Sequence, residues 1–415
     1  MPYSRVVVTG IGVVSPVGNN KDEFWSSLIQ GRNGVGRITA FDPAPFDSRV
    51  AAEVKNYNPS DSIPAKESKR MEPFCQFAVT AAKEALTDSG LDISKEDPHE
   101  IGVVVGSGIG SLGILEKMHT VLLTKGPDKF TPFMIPLLII NMAAGWISIL
   151  FGLRGPNLAV VTACATGTHA IGEAYRMIQH GQAKAMVAGG TESCITPLGI
   201  GGFCALKALS TKYNDNPQLA SRPFDKERDG FVMGEGAGIV VLEELEHAKK
   251  RGAYIYGEVT GYALNGDAFH MTAPRPDGDG AVRCMSLALK DARMAPEEIN
   301  YINAHGTSTE LNDRIETLAI KKVFKDHAKK LPVNSTKSMT GHTLGAAGGI
   351  EFVACCLSLK HQMVHPTINR THPDPECDLD YVVEGARKAK VEACLSNSLG
   401  FGGHNTSIIV KKLKS

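Results

Sequence analysis

The stretch VVTACATGTHAIG, Val160–Gly172, decides the reading of this chain. β-Branched and small residues run into Cys164, and the helical-period segment AIGEAYRMI follows a Thr-Gly pair. The pattern changes from buried strand to helix across the cysteine. A strand-to-helix turn points its side chain at backbone N–H groups that the first helical turn leaves unpaired. The helix dipole there is worth about 0.3–1 kcal/mol, and about 2 kcal/mol when partly buried, or roughly one pKa unit against an ordinary thiol near 8.5. The thiol is then only partly ionised, and a nearby histidine is needed to complete its activation. Taken alone, the turn slightly favours a buried, inert cysteine packed as a small hydrophobe.

Other stretches change that weighting. YINAHGTST places His305 just after an apolar strand, and STKSMTGHTLGAAG places Lys337 after another, with His342 beside glycines at a helix start. These are strand ends and helix starts, where α/β folds hold their chemistry. In SLGFGGHN, glycines flank Phe401, so the backbone can approach a ligand and offer N–H groups. With the Cys164 N–H they form a candidate oxyanion hole. A cysteine, two histidines and a lysine, all at such ends, make a constellation.

Around it, short β-rich runs alternate with helical patterns along 415 residues. RVVVTGIG, EIGVVVGSG, NLAVVTAC, KAMVAGG, GIVVLEEL and YINAHG lack polar alternation, as strands buried on both faces do. The chain reads as α/β with covered sheets. NLAVVTACATGTHAIGEA and KLPVNSTKSMTGHTLGAAGG share one plan of strand, small polar turn and glycine-rich helix start, which predicts two similar halves. The seam falls near EHAKKRGAYIYG, giving an N-terminal half over 1–252 and a C-terminal half over 253–415.

Bulk properties exclude several classes. Basic and acidic residues number 44 each, which argues against binding nucleic acid by phosphate neutralisation. Nine scattered cysteines, an odd count without a CxxC pair, read as reduced thiols in a cytoplasmic setting. The uncharged run Phe133–Phe151 approaches the roughly 20 residues that span a bilayer. Pro136, Asn141, Gly145 and Ser148 interrupt it, so a fully buried helix in the core or a subunit interface is expected. GSGIGS, Gly106–Ser111, lacks the third glycine of a dinucleotide loop, and the pair His361 and His365 lacks a third metal ligand.

Together GPNLAVVTACATGTHAIG, RPFDKERDGFVMGEGAG, DAFHMTAP, NAHGTST, STKSMTGHTLGAAGGIE and SNSLGFGGHN resemble the β-ketoacyl-acyl carrier protein synthases of the thiolase-like condensing-enzyme superfamily. The resemblance covers essentially the whole chain and is nearest to the KAS II, elongating type. It implies a duplicated, five-layered αβαβα fold, a homodimer, and lengthening of fatty acyl chains by decarboxylative condensation with malonyl-acyl carrier protein. It implies Cys164 as the nucleophile that takes the acyl chain. His305 and His342 then bind the malonyl thioester and assist decarboxylation. Lys337 is their charged partner, Glu351 a structural acid near Lys337, and Asp313 an acid near His305. Phe401 is the implied gate, Ile109 and Phe203 line the acyl pocket with it, and Thr272 contacts the phosphopantetheine arm. Lys66, Lys69, Arg70 and Lys207 are the implied docking patch for an acidic carrier protein.

No dissociable cofactor is implied, since the carrier brings the phosphopantetheine. Asn303, Ser396 and Asn397 offer oxygens for a structural monovalent cation. The chain departs from the usual pattern at Glu310, Thr343 and Leu399, where Pro, Leu and Phe are common, and no reacting group is lost. Two other readings stay open. One is a polyketide ketosynthase with the same chemistry on another chain. The other is a non-catalytic chain-length subunit, against which the presence of Cys164 counts.

Overall fold

In the computed structural model, which describes residues 3–413, ten strands form one hydrogen-bonded sheet. They are β1 (Val6–Val14), β2 (Ile101–Gly106), β3 (Asn157–Leu158), β4 (Ala185–Glu192), β5 (Gly236–Glu244), β6 (Gly257–Gly266), β7 (Tyr301–Asn303), β8 (Val333–Asn334), β9 (Ala393–Gly400) and β10 (His404–Lys411). Their order is β8-β7-β9-β10-β6-β1-β5-β4-β2-β3. Divided between β6 and β1, this is one plan used twice. In each half the third strand lies at the rim, then come the second, fourth, fifth and first. The two pairs nearest the rim are parallel, and the next two are antiparallel, in both halves. The halves join where Val6, Val7 and Val8 pair with Val259, Glu258 and Gly257.

The helices that position the site are α1 (Pro73–Ser89), α2 (Leu112–Lys125), α3 (Met134–Leu138), α4 (Met142–Phe151), α5 (Thr166–Gln179), α6 (Pro197–Ala205), α7 (Asp279–Ala292), α8 (Glu310–Phe324) and α9 (Ala347–His361). α1 covers the outer face of β1, β4 and β5, while α7 covers β6 and β10 and packs on α8. Between the halves, α5 and α9 each touch strands of both. A helix with sheets on two sides has no polar face to spare. Accordingly α9 is buried from Ala347 to Leu359. The result is the five-layered αβαβα body of the thiolase-like fold.

Two local expectations change. NLAVVTAC pairs only at Asn157–Leu158, because β3 is the rim strand and has β2 on one side alone. The run Phe133–Phe151 is two helices, not one. Ile139 turns to extended backbone and ends α3, and Ile140 turns in toward Gly110. Nor is the run fully buried. Ala143, Ala144 and Ile147 face the core, while Ile135 and Ile149 are 58% and 65% exposed. No helix among the described residues is long and apolar enough to cross a membrane.

Candidate active site

The repeat seen in sequence reappears as one backbone device. After β3 the chain passes Ala163 at φ 50°, makes a 3-10 turn over Ala163–Ala165 and enters α5. In the second half it passes Leu344 at φ 48°, makes a 3-10 turn over Leu344–Ala346 and enters α9. Left-handed backbone is uncommon for residues with a Cβ and persists where the surroundings impose it. The first turn delivers Cys164, and the second delivers His342 just before it.

Cys164 is buried, and the backbone N–H groups of Phe401 and of Cys164 itself are directed at its sulfur. Gly400 makes this approach possible. A Cβ there would lie 2.7 Å from Thr162 O and 3.4 Å from Cys164 N. Burial pushes the thiol up to about 12, against the Lys337 charge and those two N–H groups. Desolvation outweighs the helix end, so the partial ionisation expected from sequence is not reached and the resting thiol is protonated.

His305 and His342 are both buried, with ring centroids 5.3 Å apart and planes at 86°. Desolvation first, and the Lys337 charge next, hold both imidazoles well below their ordinary value, so both are neutral. Lys337 Nζ donates to His305 Nδ1 at 3.3 Å and to His305 O at 2.6 Å, and forms an ion pair with Glu351. The Leu344 N–H donates to His342 Nδ1 at 3.3 Å. With both Nδ1 atoms accepting, the single proton of each neutral ring resides on Nε2. Two Nε2–H donors therefore remain for a ligand oxygen.

Cys164, His305 and His342 line a single cavity of about 350 Å³, together with Phe203, Phe231 and Phe401. Phe203 and Phe401 stand 6.3 Å apart, centroid to centroid. Thr272 and Lys207 also line it, as do the departures Glu310 and Leu399. Ile109 packs into the apolar cluster that contains Cys164 and Phe203. The third departure, Thr343, is buried beside Gly234.

Other sequence candidates lie elsewhere. Lys66, Lys69 and Arg70 are exposed and outside the cavity lining, and the Arg70 guanidinium sits 5.2 Å over the Phe133 ring. Asp313 makes no bond to His305. It accepts from Phe224 N at 2.8 Å and faces Arg228 at 3.7 Å. The acid at His305 is Glu316, which accepts the backbone N–H of His305 and of Gly306, each at 2.8 Å. Sequence reasoning missed Glu316 and also Glu192, the last residue of β4. Glu192 is a lone acid closing an apolar run, whereas Glu316 lies on α8 beyond Glu310 and Asp313, and its place among apolar residues was the one available signal. His361 stacks on Trp25 and His365 bonds Thr336, so the pair does not converge. No group of three or more metal-ligating His, Cys, Asp or Glu occurs among the described residues. Asn303 Oδ1 and Ser396 Oγ, opposite one another on β7 and β9, are buried without partners, as is Glu351 Oε2. Asn397 Oδ1 instead accepts from Ser407 at 2.8 Å.

Comparisons with known proteins give the family and the fold. The N-terminal domain of the β-ketoacyl synthase family matches residues 3–248, and its C-terminal domain matches residues 256–371. The chain is 54% identical to a 3-oxoacyl-[acyl-carrier-protein] synthase 2 of Synechocystis, over 98% of both chains. It is 52% identical to the protein of the same name from Coxiella burnetii, over 100% of both. Among solved structures it is similar to a type II polyketide ketosynthase bound to its acyl-carrier protein, with a TM-score of 0.91 and 39% identity over 100% of both chains. A β-ketoacyl synthase from Burkholderia phymatum matches with a TM-score of 0.91 and 38% identity, over 99% of this chain and 100% of that one.

Proposed function

The chain belongs to the β-ketoacyl synthase family and is a condensing enzyme of the acyltransferase class, and from that premise we propose how its residues act. The reaction is elongation of a fatty acyl chain by two carbons, using malonyl-acyl carrier protein. The observation that carries the reading is the convergence of Cys164, His305 and His342 on one cavity with both Nε2–H groups free to donate.

In the first half-reaction Cys164 Sγ attacks the carrier's acyl thioester. The N–H groups of Cys164 and Phe401 hold the oxyanion. The pantetheine sulfur leaves with the proton that the thiol gives up, and the acyl chain lies along Phe203 and Ile109. Malonyl-carrier then enters past Thr272, and its thioester oxygen accepts from His305 and His342 Nε2–H. Loss of carbon dioxide leaves an enolate on that oxygen, so no strong base is needed. The carbanion carbon attacks the acyl–Cys164 carbonyl, and the Cys164 sulfur departs as a thiolate that takes up a proton from water to restore the thiol. Burial first, and the charge of Lys337 next, keep both imidazoles neutral, with the one proton of each on Nε2.

The proposal includes no dissociable cofactor, since the carrier brings the phosphopantetheine. A structural monovalent cation fits the orphaned oxygens of Asn303 and Ser396, which need a partner that neither strand supplies. Docking of the acidic carrier falls to Lys207 at the cavity mouth, with Lys66, Lys69 and Arg70 on a more distant exposed patch. A homodimer is supported by the open apolar faces of α2, α3 and α4, and a cytoplasmic setting by nine unpaired cysteines. The polyketide reading is the alternative. The fatty acid reading is favoured by the 52–54% identity to the two 3-oxoacyl synthases, against 39% to the polyketide ketosynthase.

The test is a mass-spectrometric condensation assay of wild type against Cys164→Gln, with acyl- and malonyl-carrier protein. Wild type is expected to condense, and the variant only to decarboxylate malonyl. Condensation by the variant at the wild-type rate would make Cys164 structural and overturn the reading.

A further inference from the structure

Glu192 is buried at the end of β4, and every group that meets its carboxylate is a donor. Oε1 accepts from Ser107 Oγ at 2.5 Å, Ile109 N at 3.3 Å and Cys194 Sγ at 3.4 Å. Oε2 accepts from Gly108 N at 2.8 Å and Gly345 N at 3.0 Å. Ser107 Oγ itself accepts the Gly110 N–H at 3.0 Å, so its own proton goes to Glu192. Five donors and no acceptor define the site of a carboxylate, and each N–H orphaned there would lose its only partner.

Four of these five donors, all but the Cys194 thiol, belong to two segments that are distant in sequence. One is the loop Ser107–Gly110, which presents Ile109 to the acyl pocket. The other is the turn Leu344–Ala346, whose Leu344 N–H fixes the His342 ring. The segments meet backbone to backbone over the carboxylate. A Cβ on Gly345 would lie 2.3 Å from Gly108 N, and a Cβ on either glycine would lie 2.8 Å from Glu192 Oε2. No side chain separates them, and Glu192 is the group that binds both.

We propose that Glu192 is a positioning residue for the condensation. Its carboxylate locks the acyl-pocket loop to the turn that orients His342, so that one buried anion sets both acyl fit and malonyl decarboxylation. This rests on the function proposed for Cys164, His305 and His342. Glu192 touches no reacting atom and acts through Ile109 on one side and through His342 on the other.

The experiment separates the half-reactions. Acylation of Cys164 is followed by protein mass with carriers bearing short and long acyl chains, and malonyl-carrier decarboxylation is followed separately. Wild type comes first, since failure of wild type to decarboxylate malonyl-carrier overturns the function and not the strut. In Glu192→Gln an NH2 faces donors whichever way the amide turns. The expected result is a fall in the decarboxylation kcat of about 10–100-fold, the size that a misplacement of about 1 Å produces. KM and short-chain acylation are expected to stay within about twofold of wild type, and long-chain acylation to fall. A loss of acylation that is as large for short chains as for long ones, or no loss in either half-reaction, overturns the proposal. Should Glu192→Gln fail to fold, Ser107→Ala decides. It removes the Ser107 bonds to Glu192 and to Gly110 N, which loosens the loop, but leaves Gly345 bonded, so long-chain acylation is expected to fall while decarboxylation holds. Unchanged long-chain acylation in that variant overturns the proposal.

Discussion

At the scale of single residues, the site places a poorly ionised nucleophile among neutral donors. The Cys164 thiol is pushed up to about 12 by burial, and a raised thiol loses its proton only as pH climbs. Alkylation of Cys164 by iodoacetamide is therefore expected to accelerate about tenfold per pH unit from pH 6 to 9 without levelling. A plateau near neutrality, read by mass spectrometry of the Cys164 peptide, would show a stabilised thiolate and refute this account. The candidate residues that the structure brings together were legible in sequence because each follows an apolar run and stands among small residues, as in TACATG, NAHG and TGH. What lay beyond sequence was the sign of the thiol shift. A helix end lowers it, burial raises it, and depth is a property of the folded layers. Glu316 and Glu192 were unreadable for a related reason. Glu192 at the end of β4 looks like a strand reaching solvent, and Glu316 on α8 like a solvated helix face, until another segment is brought over each.

At the scale of elements, the turn is what the fold uses twice. Both 3-10 turns begin at a left-handed residue and feed a central helix, Ala163 ahead of α5 and Leu344 ahead of α9. The repeat was visible in the two sequence segments, but its purpose was not, because the turns converge only after both halves pack. The end of β9 completes the first turn through the close approach of Gly400. Gly400→Ala places a methyl 2.7 Å from Thr162 O, so the Phe401 N–H must move off the sulfur. Loss of one such donor costs about 100-fold or more in rate. Cys164 acylation is expected to fall by that factor, while malonyl decarboxylation, which uses the imidazoles, is retained. Acylation at the wild-type rate, measured by protein mass, would remove Phe401 from the oxyanion hole. The element misread from sequence, Phe133–Phe151, failed for a physical reason. Its apolar residues are divided between the core and an open face, and periodicity alone does not distinguish core from open face.

At the scale of the molecule, that open face bears on the acyl pocket. Leu122 and Leu123 on α2, Ile135 on α3 and Ile149 on α4 are 43%, 72%, 58% and 65% exposed respectively. An exposed apolar surface of this kind marks an interface. The strand β3 ends the sheet beside it, with Val161 half exposed and one edge of the ladder unpaired. An unpaired edge next to apolar helices suits a second copy of the same chain. The consequence reaches inward, because Ile140, between α3 and α4, lies against Gly110 of the loop that carries Ile109. A partner that holds α3 and α4 in place would therefore also hold the loop of Ile109, the wall proposed for the acyl pocket. Charge on the face separates the two effects from folding. Leu123→Glu with Ile149→Glu is expected to yield a folded monomer by light scattering, because both side chains already face solvent in the single chain. That monomer should acylate Cys164 with short chains and lose long ones, since only the long chain needs the Ile109 wall. A dimer that persists, or a monomer with the wild-type chain-length range, would show that the face neither pairs the subunits nor supports the pocket.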